Sequence, residues 1–237
     1  MSNIILIHGA WHTGSCWDNV SKILKENDHN VFSITLPGNG PNDNRNVTYQ
    51  SYIDHVYQVI SDYNEKVIIV GHSSAGHVIQ MSIPRIANRI EKVIFNNAWI
   101  LPDGVSQFDL IPEEIKTNMR AGAKGSGTNS IPVDSTFIKN SLATDASPEI
   151  LQKLLSKLVP QPIVLFEEPI KACAFANLNI PLVLLHNKKD ISLPQNSYIN
   201  MFKVLGDNPI IEIDCDHEGL FTNSIIYTEG LLKCINL

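Results

Sequence analysis

The chain predicts an α/β fold, a mostly parallel central sheet with helices on both faces, and three observations carry that expectation. Short apolar runs alternate with amphipathic ones from Ile4 to Ile213, the rhythm of βα units rather than of a sandwich or a helical bundle. One run, Val67-Ile68-Ile69-Val70, holds four β-branched residues without polar alternation, as in a strand covered on both faces. It stops at Gly71-His72-Ser73-Ser74-Ala75-Gly76, where small residues on both sides of a serine permit a tight strand-to-helix reversal.

Taken in order, Ile4 to Ile7 is a first strand ending at His8-Gly9-Ala10-Trp11, and a helix follows from Cys16 with Trp17, Val20, Ile23 and Leu24 on one face. Asn30 to Leu36 is a second strand, stopped by the loop Pro37-Gly38-Asn39-Gly40-Pro41. Ile53, Val56, Val59 and Ile60 mark a helix from Tyr49 to Tyr63. After the Val67 strand, a helix from Ala75 should end or kink at Pro84. Lys92 to Phe95 and Leu182 to Leu185 are the fourth and fifth strands. A helix with Tyr198, Ile199, Phe202 and Leu205 then leads to the sixth, Ile210 to Ile213. Between the fourth and fifth strands, about eighty residues break the βα rhythm, and a segment of that size in a compact domain predicts a helical cap at about 101–175. It holds seven prolines, a Gly-rich patch at Gly122 to Gly127, and an amphipathic helix built on Ile150, Leu151, Leu154, Leu155 and Leu158.

With 237 residues, 43% hydrophobic and 18% charged, the chain has the composition of one globular domain over 1–237. A net charge of −6 argues against a nucleic-acid surface. No apolar run reaches transmembrane length, so no membrane role is expected. Met1-Ser2-Asn3 runs straight into the first strand without a signal segment, which predicts a cytoplasmic protein. Cys16, Cys173, Cys215 and Cys234 have no metal-type spacing and are expected to be reduced thiols.

The chemistry is expected at the carboxyl ends of the strands, where ligands bind in open α/β sheets. Gly71 to Ala75 fits the nucleophile elbow, with Ala75 in place of its second glycine, and makes Ser73 the candidate nucleophile. A serine needs a base and a carboxylate to fix that base, and in elbow enzymes the chain order is Ser, acid, His. Of the eight histidines only His217 lies beyond Asp190, after the last strand where the base is required. His72 sits inside the elbow, His8 and His12 flank the first turn as supporting residues, and His29, His55, His77 and His186 read as surface or packing residues. Asp190, at the end of the fifth strand, is the candidate acid, and Asp103 is the second choice. Asp214 and Asp216 read as a solvated strand end, too near His217 in sequence to reach its far nitrogen. The amides of Ser74 and Ala10 are the candidate oxyanion donors.

This combination resembles the α/β-hydrolase family, and within it the group of plant methyl esterases, hydroxynitrile lyases and bacterial esterase relatives. The resembling segments are His8 to Trp17, the elbow Gly71 to Gly76, Leu158-Val159-Pro160-Gln161-Pro162, and the strand ends at Asp190 and His217. The resemblance implies the same nucleophile, base, acid and oxyanion amides, with no metal or organic cofactor. It also implies that lyases of the group carry a threonine where this chain has Gly9 and a lysine where it has Glu218, an acid unusual in either branch. Glu218 is open to two readings, a solvent-facing loop carboxylate or an anion close to the site.

The expected function is hydrolysis of a small or medium carboxylic ester, a small-molecule substrate, with specificity set by Trp11, Trp99, Phe137 and Phe166. The alternatives are a lyase-like or other non-hydrolytic reaction on the same triad, or a ligand-binding receptor on the hydrolase scaffold.

Overall fold

The computed structural model describes residues 1–237. Its strands are β1 (Asn3–Ile7), β2 (Asn30–Ile34), β3 (Val67–His72), β4 (Ile90–Asn96), β5 (Ser130–Ile131), β6 (Gln161–Pro162), β7 (Leu182–Asn187) and β8 (Ile210–Ile213). Six of them form one sheet in the order β2-β1-β3-β4-β7-β8, parallel throughout, while β5 and β6 pair antiparallel on their own. The chain winds outward from β1 to β2 and then in the opposite direction from β3, so the order reverses between β1 and β3. A crevice opens outside the carboxyl ends of two strands at such a point. The register sets Ile7 opposite Gly71, which brings the turn after β1 alongside the turn after β3.

Both faces of the sheet are covered, and the strands show why their sequences lack polar alternation. Ile5, Ile7, Val67, Ile69, Val93 and Phe95 point into one buried cluster, and Ile4, Leu6, Ile68, Val70 and Ile94 into another on the opposite face. The helices Tyr49–Ser61, Ala75–Ser82 and Ser197–Lys203 fill the first. Asp18–Glu26 and Ser224–Asn236 fill the second.

The helix after the elbow stops at Ser82, and a 3₁₀ segment with Pro84 in its first turn continues to Arg89. The C-terminal helix Ser224–Asn236 is an element the sequence reading does not contain. Its stripe of Tyr227, Leu231 and Cys234 is blurred by Thr228 and Gly230 and by the exposed Ile225 and Ile226. Gly230 is small because Ile213 packs directly on it. The helix end is secured from β4: the buried Lys92 ammonium donates to the carbonyls of Cys234 (3.1 Å) and Ile235 (2.7 Å), satisfying acceptors that a helix terminus leaves open.

Residues 97–181 leave the sheet between β4 and β7. The helix Pro148–Lys157 begins as its sequence demands, with Ser147 capping and Pro148 at the first position. A second helix, Glu113–Gly125, runs through the start of the Gly-rich patch. The insertion bonds to the loops at the carboxyl edge of the sheet: Val159 N–H donates to Trp11 O, and Glu218 N–H to Leu142 O. All four cysteines are free thiols, three of them buried. No helix is long and apolar enough to cross a membrane.

Candidate active site

Ser73 stands in the left-handed region, at φ 56°, which costs a non-glycine residue about 1–3 kcal/mol. Neighbouring backbone holds it there: Ser73 N–H donates to Asn96 O (3.1 Å), and Ser73 O accepts from Gly76 N–H (3.1 Å) and Trp99 N–H (3.0 Å). Two glycines make the crowding possible. A Cβ on Gly9 would lie 2.7 Å from the Ser73 Cβ, and one on Gly76 would run into the Trp99 carbonyl. Ala75, fully buried at the start of the helix, fits without strain where the motif has glycine.

His217 Nδ1 donates to Asp190 Oδ2 at 2.6 Å, with both side chains buried. The carboxylate is itself held. Asn97 Nδ2 donates to Oδ2 (2.6 Å), and Ser192 N–H and Oγ donate to Oδ1 (2.9 and 2.5 Å). Asn97 is fixed in turn, because its Oδ1 accepts from Asn187 N–H (2.9 Å) and the His186 ring (3.1 Å). Burial opposes charge on Asp190, but the His217 imidazolium and these donors outweigh it and hold the carboxyl below its usual range. Burial likewise disfavours charge on His217, yet Asp190 first, then Glu218 and Asp216, raises its pKa above the ordinary value. Ser73 Oγ and His217 Nε2 make no hydrogen bond inside the protein, to each other or elsewhere, and neither is sealed from solvent.

The loop after β1 faces the elbow. His8 orders it: its Nε2 accepts from Leu36 N–H (3.0 Å) and its Nδ1–H donates to Gly9 O (2.7 Å), which fixes the neutral tautomer. Burial lowers its pKa to about 3. Neither the Ala10 nor the Ser74 amide donates to any protein acceptor. The Ser74 hydroxyl donates to Gln107 Oε1 (2.9 Å), which also accepts from His77 Nε2 (3.0 Å), while Tyr49 OH donates to His77 Nδ1 (2.7 Å).

Near His217 one open reading is decided and one expectation is corrected. Of the two readings of Glu218, the solvent-facing carboxylate is excluded: it is buried and bonded to His12 Nε2 at 3.0 Å. Burial alone would raise its pKa, but His12 beside it brings it down to about 2. Asp216 is not solvated either. It is fully buried, accepts from Asp145 N–H (2.8 Å) and Thr222 Oγ (2.7 Å), and burial pushes its pKa up to about 6. Asp103, the second choice for the acid, accepts from Cys173 N–H on the surface and does not approach His217. His72 Nε2 donates to His217 O (3.0 Å), with the two rings 4.6 Å apart.

Of the four aromatic residues expected to shape specificity, the structure brings three together. The Trp11 ring lies 6.2 Å from Phe137 and 5.5 Å from Phe166, which stacks on Phe108. Trp99 has no aromatic partner among them and is buried in the core behind the elbow. The sequence reading gave no role to Asn97, Ser192 or Gln161. Gln161 had a signal in the Leu158–Pro162 segment that carries the resemblance, and Ser192 a local one, since a serine two residues after an aspartate in a loop is a common turn. No group of three or more His, Cys, Asp or Glu side chains is arranged to hold a metal ion.

A family model described as the alpha/beta hydrolase family matches residues 4–222. An extracellular alpha/beta-hydrolase from a Paenibacillus species, described as sharing structural and functional homology with tobacco salicylic acid binding protein 2, superposes with a TM-score of 0.92 at 28% identity over 99% of both chains. Methylesterase 2 of Arabidopsis thaliana is 24% identical over 97% of this chain and 94% of its own length. A carbendazim hydrolyzing esterase of Nocardioides is 33% identical over a shorter stretch, 51% of this chain and 52% of that protein.

Proposed function

The chain belongs to the alpha/beta hydrolase family, and from that premise we propose that it is a serine hydrolase cleaving a small or medium carboxylic ester through an acyl-enzyme on Ser73. His217 is the base, Asp190 the acid that orients it, and the Ala10 and Ser74 amides the oxyanion donors. One observation carries the reading: His217 has one nitrogen tied to a fully held carboxylate and the other open, on the same rim as a strained, unpartnered serine.

In this scheme Ser73 Oγ attacks the ester carbonyl carbon as its proton passes to His217 Nε2. The charge that develops on the carbonyl oxygen is met by two amides that have no competing acceptor, so they need no reorganisation. Asp190 stabilises the imidazolium without taking its proton. His217 then protonates the departing alcohol, and a water activated by the same base releases the acid. No metal or organic cofactor enters. Residues 101–175 serve as the cap, with Trp11, Phe137 and Phe166 as an apolar wall for the acyl or alcohol group and Trp99 supporting it from the core.

The relatives named esterases and methylesterases support an ester as substrate. Position 9 argues against a cyanohydrin, because a side chain there would collide with Ser73, and Glu218 turns to His12 where the related lyases have a cation.

The test is Ser73→Ala, assayed on short-chain 4-nitrophenyl and methyl esters. Turnover should fall by about 10⁴-fold or more with the unfolding curve unchanged, since one hydroxyl without a protein partner is lost and no core volume. Near-normal turnover in that variant would remove Ser73 as nucleophile. Ser73-dependent cleavage of mandelonitrile with esters untouched would make the protein a lyase, and failure of a fluorophosphonate to label Ser73 would make it a receptor.

A further inference from the structure

Trp11 follows the residue whose amide is the proposed oxyanion donor, and it adopts φ 63°. A bulky residue stays in that region only where its surroundings over-determine it, because the conformation costs about 1–3 kcal/mol. Here the grip comes from the insertion, 150 residues away in sequence. Trp11 N–H donates to Gln161 Oε1 (3.0 Å), its carbonyl accepts from Val159 N–H (2.8 Å), and its ring N–H donates to Ile131 O (3.3 Å). Ile131 pairs with Gln161 in the antiparallel β5–β6 sheet, so all three points belong to one small structure. Pro160 and Pro162 flank Gln161 and restrict its backbone before the contact is made.

The orientation of the Gln161 amide is not open to choice. A backbone N–H is only a donor, so the atom facing Trp11 must be oxygen. That oxygen accepts a second bond from Asn39 Nδ2 (2.9 Å), which also donates to His12 O (3.0 Å). Gln161 is fully buried, with its Nε2 directed at Pro162 O (3.3 Å) and Tyr52 OH (3.5 Å). On the other side of Ala10, Gly9 is pressed against Ser73. Ala10 is therefore a single peptide step between the nucleophile and a residue clamped by the insertion.

We propose that Gln161 is a positioning residue for catalysis: its side-chain carbonyl holds Trp11 in the left-handed conformation and thereby aims the Ala10 amide at the oxyanion. The inference rests on the function proposed above, since it requires Ala10 to be an oxyanion donor. Its consequence is that the cap completes the oxyanion site as well as covering it. Ser73 and His217 stand just beyond strands of the sheet, whereas the Ala10 donor is aimed only when the paired strands β5 and β6 are seated against Trp11.

The experiment compares Gln161→Leu, which removes the acceptor, with Gln161→Glu, which keeps an oxygen at that place, each normalised to sites titrated by a fluorophosphonate. Gln161→Leu should lower kcat about 10- to 100-fold, the scale of a donor displaced but not deleted. KM should stay within about threefold, because the interaction is spent in the transition state. A trifluoromethyl ketone, whose adduct places an oxyanion in the same site, should bind more weakly by the same factor as kcat, and Gln161→Glu should recover most of both. If Gln161→Leu does not fold, Gln161→Asn, one methylene too short to reach Trp11, is read in the same way. Unchanged kcat and inhibitor affinity, or a rise in KM alone, overturns the inference while lost turnover in Ser73→Ala leaves the proposed function standing. Retained turnover in Ser73→Ala overturns both.

Discussion

His217 with Asp190 and His12 with Glu218 are two buried histidine–carboxylate pairs close to the elbow, joined at 2.6 and 3.0 Å. Their surroundings differ. Asp190 receives bonds from three residues on both oxygens, whereas Glu218 has one partner, and its Oε2 is buried with none. The first pair lies within one stretch of chain around β8. The second joins the loop after β1 to the loop after β8, across 206 residues. The carboxylate proposed to orient the base is itself immobilised, while the one that ties two loops together leaves an oxygen unsatisfied. Burial and pairing alone do not tell the two apart; the donors around the carboxylate do.

The largest effect that tests this contrast is on catalysis. Asp190→Asn should lower kcat about 10³- to 10⁴-fold in steady-state ester hydrolysis, because the amide cannot fix the tautomer or stabilise the imidazolium. A greater loss of kcat from Glu218→Gln would invert the assignment of the two pairs. Next comes His12→Leu, which leaves the Glu218 carboxylate buried and unpaired. It should cost about 3–5 kcal/mol in urea unfolding while the folded fraction keeps kcat within about tenfold. Equal stability in that variant would mean the pair holds nothing.

The pH dependence is smaller and separates the pairs by sign. The pKa of His217 is raised, so kcat/KM should decline on the acid side at a pH above the ordinary histidine value of 6.5, and Glu218→Gln, which removes one of the charges raising it, should shift that limb to lower pH. Glu218 is lowered from 4.5 to about 2 in the folded state. Its contribution to stability is therefore fully present above 4.5 and is lost as pH falls toward 2, and Glu218→Gln should flatten the acid unfolding curve there. The smallest effect is Asp103→Asn, on an exposed carboxylate bonded to Cys173 N–H, which should leave kcat within about twofold.

Much of this arrangement is legible in the chain. The central strands can be read because a parallel sheet buried on both faces writes itself as unbroken β-branched runs, as Val67 to Val70 does. The elbow can be read because its crowding admits few residues beside Ser73, and Asp190 and His217 because they stand just beyond strands in an order that elbow enzymes keep. The C-terminal helix was not legible, since Thr228 and Gly230 interrupt its apolar stripe, the glycine because Ile213 packs directly on it. Asp216 was misread, and Glu218 left open, because a charged residue in a loop ordinarily faces water, and only the packing of distant loops removes that water.

Sequence by itself thus determined the fold class, the strands at whose ends chemistry can occur, and the order of the three residues proposed for the triad, since these depend on local pattern and chain order. Tertiary structure alone decided which side chains hold the others: Asn97 and Ser192 on Asp190, His12 on Glu218, and Gln161 on Trp11. Most of those partners lie 93 to 206 residues apart in the chain. A hydrogen bond over such a span leaves no periodicity in either segment, because it depends on two loops meeting at an angle set by the sheet and by the insertion folded over it.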